Sequence, residues 1–240
     1  MNEKKSHIIK EFNKIGMNLS DLQAEQFVKY YELLVEWNEK MNLTAITDFD
    51  EVVVKHFLDS ASGAQVCDFT AVDNVLDLGT GAGFPGIPLK ILYPETEFVL
   101  MDSLQKRIGF LQEVIGQLGL KKITAVHGRA EEMARNDQYR EQFSVCTSRA
   151  VANTSTLLEY CMPFVKVGGC FLAYKSGKFR EEILGAQKTM HLLQTTIASE
   201  KNFLLADTDM ERTLVLFKKV GKTAKKYPRK AGMPSRQPLG

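Results

Sequence analysis

The sequence predicts an α/β fold: a doubly wound, mostly parallel sheet of seven strands with one antiparallel strand, preceded by a helical extension. Three observations carry that expectation. From residue 72 onward, short apolar runs alternate with longer amphipathic ones, the pattern of strands joined by right-handed helical crossovers. One of those runs, Val75-Leu76-Asp77-Leu78, breaks directly into Gly79-Thr80-Gly81-Ala82-Gly83-Phe84-Pro85-Gly86, a turn of the kind that ends a strand and opens a helix. The last two strand-like runs follow one another with no helix between them and read as a hairpin, which makes one strand antiparallel.

The elements follow in order. Ser20 and Gln23 form a capping box, and Leu22, Phe27, Tyr30, Tyr31, Leu34, Trp37 and Met41 recur near helical period, so a long helix is expected over Asp21 to Glu39. Asn42 to Asp48 breaks that period, and a further helix is expected over Phe49 to Ala61. Strands are placed at Asn74–Leu78, Glu97–Met101, Ile123–His127, Phe143–Thr147, Gly169–Lys175, Asn202–Ala206 and Arg212–Lys219. Helices fall between them at Gly86–Leu92, Gln105–Leu118, Ala130–Arg135, Thr154–Phe164 and Arg180–Thr195. The chain thus divides into a helical extension over 1–70, an α/β core over 71–219 and a tail over 220–240.

Composition narrows the class. At 240 residues and 44% hydrophobic content, the chain can bury a sizeable core. Cys67, Cys146, Cys161 and Cys170 show no C-x-x-C spacing, and Met1 to Lys10 is charged rather than apolar, which implies a reduced, cytoplasmic setting. No apolar run approaches the roughly 20 residues that span a bilayer. The net charge of +2 hides an asymmetry: eight cations and no acid fall in the last 23 residues, and the rest carries 23 cations against 29 acids. The tail therefore reads as a separate electrostatic object, suited to phosphates, with a solvated terminus as the plainer alternative.

The glycine-rich turn reads as a cofactor loop. Gly81-x-Gly83-x-x-Gly86 matches the dinucleotide fingerprint, in which a pyrophosphate meets free N–H groups at a helix start. The frame from Asp77 through Gly79-x-Gly81-x-Gly83 instead resembles motif I of the Rossmann-like S-adenosylmethionine methyltransferases. A carboxylate at the mouth of the loop opposes a pyrophosphate and suits an ammonium and a sulfonium. Asp102, at the tip of the second strand, suits a ribose diol with either cofactor. An NAD-dependent dehydrogenase and a non-catalytic, nucleotide-binding RNA adaptor are the alternatives.

Ligands of such sheets bind beyond the carboxyl ends of the strands. That nominates Ala130 and Glu131 for an adenine, and Arg149 beside the cofactor or the target; structural ion pairing is the alternative for Arg149, and a surface carboxylate for Glu131. The fourth strand ends in neither an Asp/Asn-Pro-Pro-Tyr nor a Pro-Cys sequence, so a target with an exposed lone pair, such as guanine N7, needs only positioning and desolvation. His56, three residues from Asp59, reads as a packing or RNA-contacting residue more than as a base.

Taken together, these residues resemble the RsmG (GidB) methyltransferases, which make 7-methylguanosine at position 527 of bacterial 16S rRNA. The resemblance rests on Glu36-Trp37-Asn38-x-x-Met41-Asn42-Leu43-Thr44, Lys55-His56-Phe57-x-Asp59-Ser60, the Asp77 to Gly86 loop, Asp102-Ser103-x-x-Lys106-Arg107, Arg129-Ala130-Glu131, Arg149-Ala150-Val151 and Lys226-Tyr227-Pro228-Arg229-Lys230-x-Gly232-x-Pro234. Thr80 stands where many members have Ala. The resemblance implies cofactor contacts at Gly79, Phe84, Ala130, Glu131 and Arg149, with Asp77, Gly81, Gly83 and Asp102 completing the loop and ribose site. It also implies attack of guanine N7 on a sulfonium methyl, with His56 and Arg149 as positioning candidates. Lys106, Arg107, Lys175, Lys178, Lys225, Lys226, Arg229 and Lys230 are expected to hold RNA phosphates. The partner is 16S rRNA or the small ribosomal subunit, and the chain is expected to act as a monomer.

Overall fold

A computed structural model describes residues 2–149, 152–176 and 179–239. Strands β1 (Asn74–Leu78), β2 (Glu97–Asp102), β3 (Ile123–His127), β4 (Phe143–Arg149), β5 (Val165–Ser176), β6 (Thr195–Leu204) and β7 (Glu211–Lys219) form one sheet in the order β3-β2-β1-β4-β5-β7-β6. All neighbours are parallel except β7, which runs antiparallel to both β5 and β6. The connection direction reverses between β1 and β4, and that switch point opens a crevice beyond the strand ends.

Alternation along the strands builds two cores. Val75, Phe98, Leu100, Val145 and Leu172 face one side of the sheet, whereas Leu76, Val99, Met101, Cys146, Phe171 and Ala173 face the other. The first side is covered by α1 (Asn2–Lys14), α2 (Asp21–Asn38), α5 (Gly86–Leu92) and α6 (Gln105–Gln117), with Phe12, Phe27 and Tyr30 fully buried. The second is covered by α7 (Ala130–Met133), α8 (Thr154–Cys161) and α9 (Phe179–Leu192). Between α2 and β1, α3 (Phe49–Val52) and α4 (Asp59–Ala61) are joined by a π-helical stretch over Val53–Leu58, so the expected single α-helix is interrupted. A π-stretch re-aims side chains and often marks a functional site; this one carries Lys55 and His56.

Three details differ from the sequence reading, the first an added helix within the expected extension over 1–70. The charged start is a helix, α1, because Ile8 and Phe12 share a buried face with α2. The sixth strand starts at Thr195, well before the expected Asn202, and the preceding helix stops at Leu192. That strand is the sheet's edge and is largely exposed, so Glu200 and Lys201 lie where an edge discourages pairing with another chain and no apolar alternation announces it. The third change concerns the tail, which folds back as part of the body. Tyr227, Pro228 and Pro234 are buried, and Arg140 donates to the carbonyls of Thr223, Ala224 and Tyr227. Arg229 forms a forked pair with fully buried Glu159, with Nη2 to Oε2 at 2.7 Å and Nε to Oε1 at 2.9 Å. Lys219, also fully buried, donates to Glu141 and to the carbonyls of Met162 and Val165. The cationic segment is thus tied down by acids of the body.

Candidate active site

The glycine loop is held from below and behind. Asp77 lies fully buried beneath the turn, where its Oδ2 accepts from the Thr80 hydroxyl at 2.6 Å and from the Gly86 N–H at 2.8 Å. Burial pushes its carboxyl up to about 7, against the pull of those two donors. Asp77 therefore supports the loop from within, and does not stand at the mouth facing a cation as its place in the sequence suggests. The first N–H groups of α5 are not free either: Gly86 gives its proton to Asp77 and Ile87 gives its own to Gly83 O at 2.7 Å. A pyrophosphate would find that seat already taken by a carboxylate, which disfavours a dinucleotide. From the other side, Tyr30 of α2 donates to Ala82 O, and a side chain at Gly83 (φ +98°) would meet its hydroxyl at 2.8 Å. The helical extension thus sets the loop's height.

Three cavities run together over the strand ends. The first, about 240 Å³, is bounded by Gly79, Asp102, Ser103 and Gly128 to Glu131. The second, about 410 Å³, shares Gly79, Asp102 and Ser103 with it and continues past Gly81 and Phe84 to His56 and Arg149. The third, about 430 Å³, shares His56 and Arg149 and extends over Asp59, Lys175 and Arg212. Asp102, at the junction of the first two, accepts from Gly81 N at 2.9 Å, Leu104 N at 2.9 Å and Arg107 Nη1 at 3.1 Å. Its carboxylate shapes the loop as well as facing the cavity.

At the second junction, His56 stacks on Phe84 with ring centroids 4.5 Å apart, and the Arg149 guanidinium lies 5.0 Å from the same ring. Arg149 Nη2 stands 3.3 Å from His56 Nδ1, and His56 Nε2 stands 2.9 Å from the Thr44 hydroxyl. A guanidinium can only donate, so Nδ1 accepts and the ring proton sits on Nε2, an assignment inferred from the partners. Burial first, and the Arg149 charge second, hold the imidazole down at about 4. Asp59 offsets part of the positive charge, accepting from Arg149 Nη1 through one oxygen and from Arg212 Nε through the other, each at 3.0 Å.

The cofactor candidates Gly79, Gly81, Phe84, Asp102, Ala130, Glu131 and Arg149 all line this run of cavities, whereas Asp77 stands behind it and Gly83 packs inward on Tyr30 and Ile87. The RNA candidates divide. Lys106, Lys225, Lys226 and Lys230 are exposed. Arg107 is turned onto Asp102, Lys175 onto Glu182 at 2.7 Å, and Arg229 onto Glu159, so these three are spent on internal carboxylates. Lys178, with Ala150 and Val151, lies outside the described residues. Sequence reasoning missed Tyr30, Asp59, Tyr160, Gly232 and Ser235 as site residues. Asp59 carried a signal in its spacing from His56; the others reach the site only through tertiary packing.

A seven-stranded sheet of this order, with a sealed glycine loop and an acid at the tip of β2, defines a Rossmann-like S-adenosylmethionine-dependent methyltransferase. Solved structures share the fold. YcgJ from Bacillus subtilis superposes with a TM-score of 0.54 at 13% identity over 69% of this chain and 100% of its own. TYW2 from M. jannaschii, solved with AdoMet, gives 0.52 at 14% identity over 68% of this chain and 75% of its own. The family described as rRNA small subunit methyltransferase G matches residues 23–213, and the chain belongs to that family. Ribosomal RNA small subunit methyltransferase G of Lachnoclostridium phytofermentans is 53% identical over 98% of this chain and 97% of its own length. The protein of the same name from an Exiguobacterium species is 50% identical over the whole of both chains. The protein is accordingly an rRNA methyltransferase that uses S-adenosylmethionine.

Proposed function

We propose that the protein methylates N7 of one guanine in 16S rRNA, the nucleotide at position 527 that the family resemblance implies. When bound, S-adenosylmethionine supplies an electrophilic methyl group, which the N7 lone pair takes to leave S-adenosylhomocysteine and a cationic base. The observation that carries the reading is the unbroken run of cavities, in which His56 and Arg149 belong both to the loop side and to the outer cavity. Gly79, Asp102, Ala130 and Glu131 bind the donor in the inner cavities, and the outer cavity takes the base.

This chain's residues then need only hold, orient and exclude water. His56 has both nitrogens engaged and is neutral at pH 7, and Asp59 has both oxygens on arginines, so neither takes a proton. That suits a nucleophile which carries no proton, and it disfavours an exocyclic amine or a ribose hydroxyl. The exposed Lys106, Lys225, Lys226 and Lys230 grip phosphates. On this reading the protein works as a monomer in the cytoplasm, where its ribosomal RNA target is; among the described residues no helix is long and apolar enough to cross a membrane. Incubation with labelled S-adenosylmethionine and small-subunit particles, followed by mass mapping of the nucleotide, tests it. Label on N7 of a single guanine is expected; label on an amine, a ribose or the large-subunit RNA refutes it.

A further inference from the structure

The inner cavity has a wall that belongs to neither the sheet nor its crossovers. Gly232 and Ser235 near the C-terminus form it, next to Tyr160 of the crossover helix α8, in a cavity also lined by Asp102 and Gly79. Glu131, expected to address an adenine edge, instead accepts a hydrogen bond from Gly232 N at 2.9 Å. We propose that the C-terminal turn Arg229–Arg236 is a cofactor-binding element, closing the adenosine end of the S-adenosylmethionine site and setting the direction of Glu131.

Three features show that the turn is built for this place. Its near end is fixed by the Arg229–Glu159 fork, in which Arg229 also gives its backbone N–H to Glu159 Oε1 at 2.8 Å. Its far end is fixed where the Thr156 hydroxyl donates to Pro234 O at 2.9 Å. Between the anchors Gly232 adopts φ +78°, a region open to glycine and strained for other residues, and a side chain there would meet Arg236 Nη2 at 2.8 Å. That conformation aims the Gly232 N–H at Glu131. A loose cationic tail needs no forked pair to a fully buried carboxylate and no left-handed glycine.

The same segment carries exposed Lys225 and Lys226 just before the turn and exposed Lys230 within it. This inference rests on the S-adenosylmethionine reading of the inner cavity.

Hydrogen exchange of the full chain with and without S-adenosylmethionine gives the first test, and it needs no variant. Protection of the amides from Arg229 to Arg236 on cofactor addition is expected. Calorimetry on a chain ending at Ala231, which keeps Arg229 and the three lysines, gives the second: the dissociation constant should rise at least tenfold while the far-ultraviolet spectrum and melting point stay near those of the full chain. Gly232→Ala, a single-atom strain at an anchored turn, should weaken binding in the same direction if the shortened chain proves unstable. Unchanged exchange over Arg229–Arg236, or binding within twofold in the shortened chain, overturns the inference. Failure of the full chain to bind S-adenosylmethionine would overturn the reading beneath it instead.

Discussion

Replacing His56 by Gln tests the assignment of a neutral, fully engaged imidazole. In the folded protein the ring is held at about 4, against 6.5 in the unfolded chain. Between those values the folded state binds fewer protons than the unfolded one, so stability rises with pH there and is lost as pH falls from 6.5 toward 4. At about 1.4 kcal/mol for each factor of ten in proton affinity, the displacement is worth about 3 kcal/mol, reduced to about 2 kcal/mol because the ring is only partly buried. Asp77 acts in the opposite sense: its carboxyl, raised to about 7, contributes stability at low pH that is lost as pH rises from 3.8 to 7. The two overlap, so the quantity to measure is the difference between wild type and His56→Gln. Urea unfolding at half-unit steps from pH 4.5 to 7.5 should show wild type losing about 2 kcal/mol more than the variant on acidification. Single-turnover methylation at pH 7.5 should fall by no more than about tenfold, since Gln can both accept from Arg149 and donate to Thr44. Parallel pH curves would refute the neutral assignment. A rate loss of roughly 10²–10⁴ with RNA binding intact, the scale of a lost general base, would refute the positioning role.

Asp102→Asn should raise the dissociation constant for S-adenosylmethionine about tenfold or more, the scale of a lost charge-assisted hydrogen bond, and should lower the melting point slightly because Gly81 N and Leu104 N lose a charged acceptor; calorimetry and a thermal melt check both. Replacing Lys225, Lys226 and Lys230 together by Ala should flatten the salt dependence of RNA binding by about 0.7 in logarithmic slope for each phosphate that the tail no longer neutralises, read from filter binding across a salt series. Glu141→Ala strands the Lys219 ammonium, which is fully buried and whose pKa burial already depresses. Loss of about 3–5 kcal/mol in a denaturant titration is expected, the scale for breaking a buried pair.

What the sequence disclosed and what it hid divide along a physical line. The bounds of β1 and β3 were legible because an apolar run ending in glycines leaves little freedom, and Asp102 could be placed at a strand tip by counting. The direction Asp77 faces was not legible: an acid before a glycine loop looks the same whether it meets a ligand or caps the helix beneath it, and only burial distinguishes them. The edge strand from Thr195 was hidden because exposure removes the apolar alternation that marks other strands. The tail misled for a similar reason. Lys219 and Arg229 look like neighbours in a charge run, but each is paired with an acid about 70 to 80 residues away in sequence, and no local pattern announces such a partner.

The arrangement of charge bears on the target as well. Methylation of N7 turns a neutral base into a cation, and a unit positive charge about 5 Å away would oppose that by about 3 kcal/mol at an effective dielectric near 20, a factor of about a hundred in rate. A site for this reaction must therefore place donors near the base while limiting the positive charge there. Here Asp59 offsets one of the two charges of Arg149 and Arg212, Glu182 takes Lys175, and His56 is kept neutral by burial and by Arg149 itself. The cations proposed to meet phosphates, Lys106, Lys225, Lys226 and Lys230, are on the surface, where solvent screens them from the reacting ring. The two lysines that do line the outer cavity, Lys55 and Lys175, are each held by a carboxylate, Glu51 and Glu182, and leaving the grip on RNA to exposed cations outside it separates grip from chemistry.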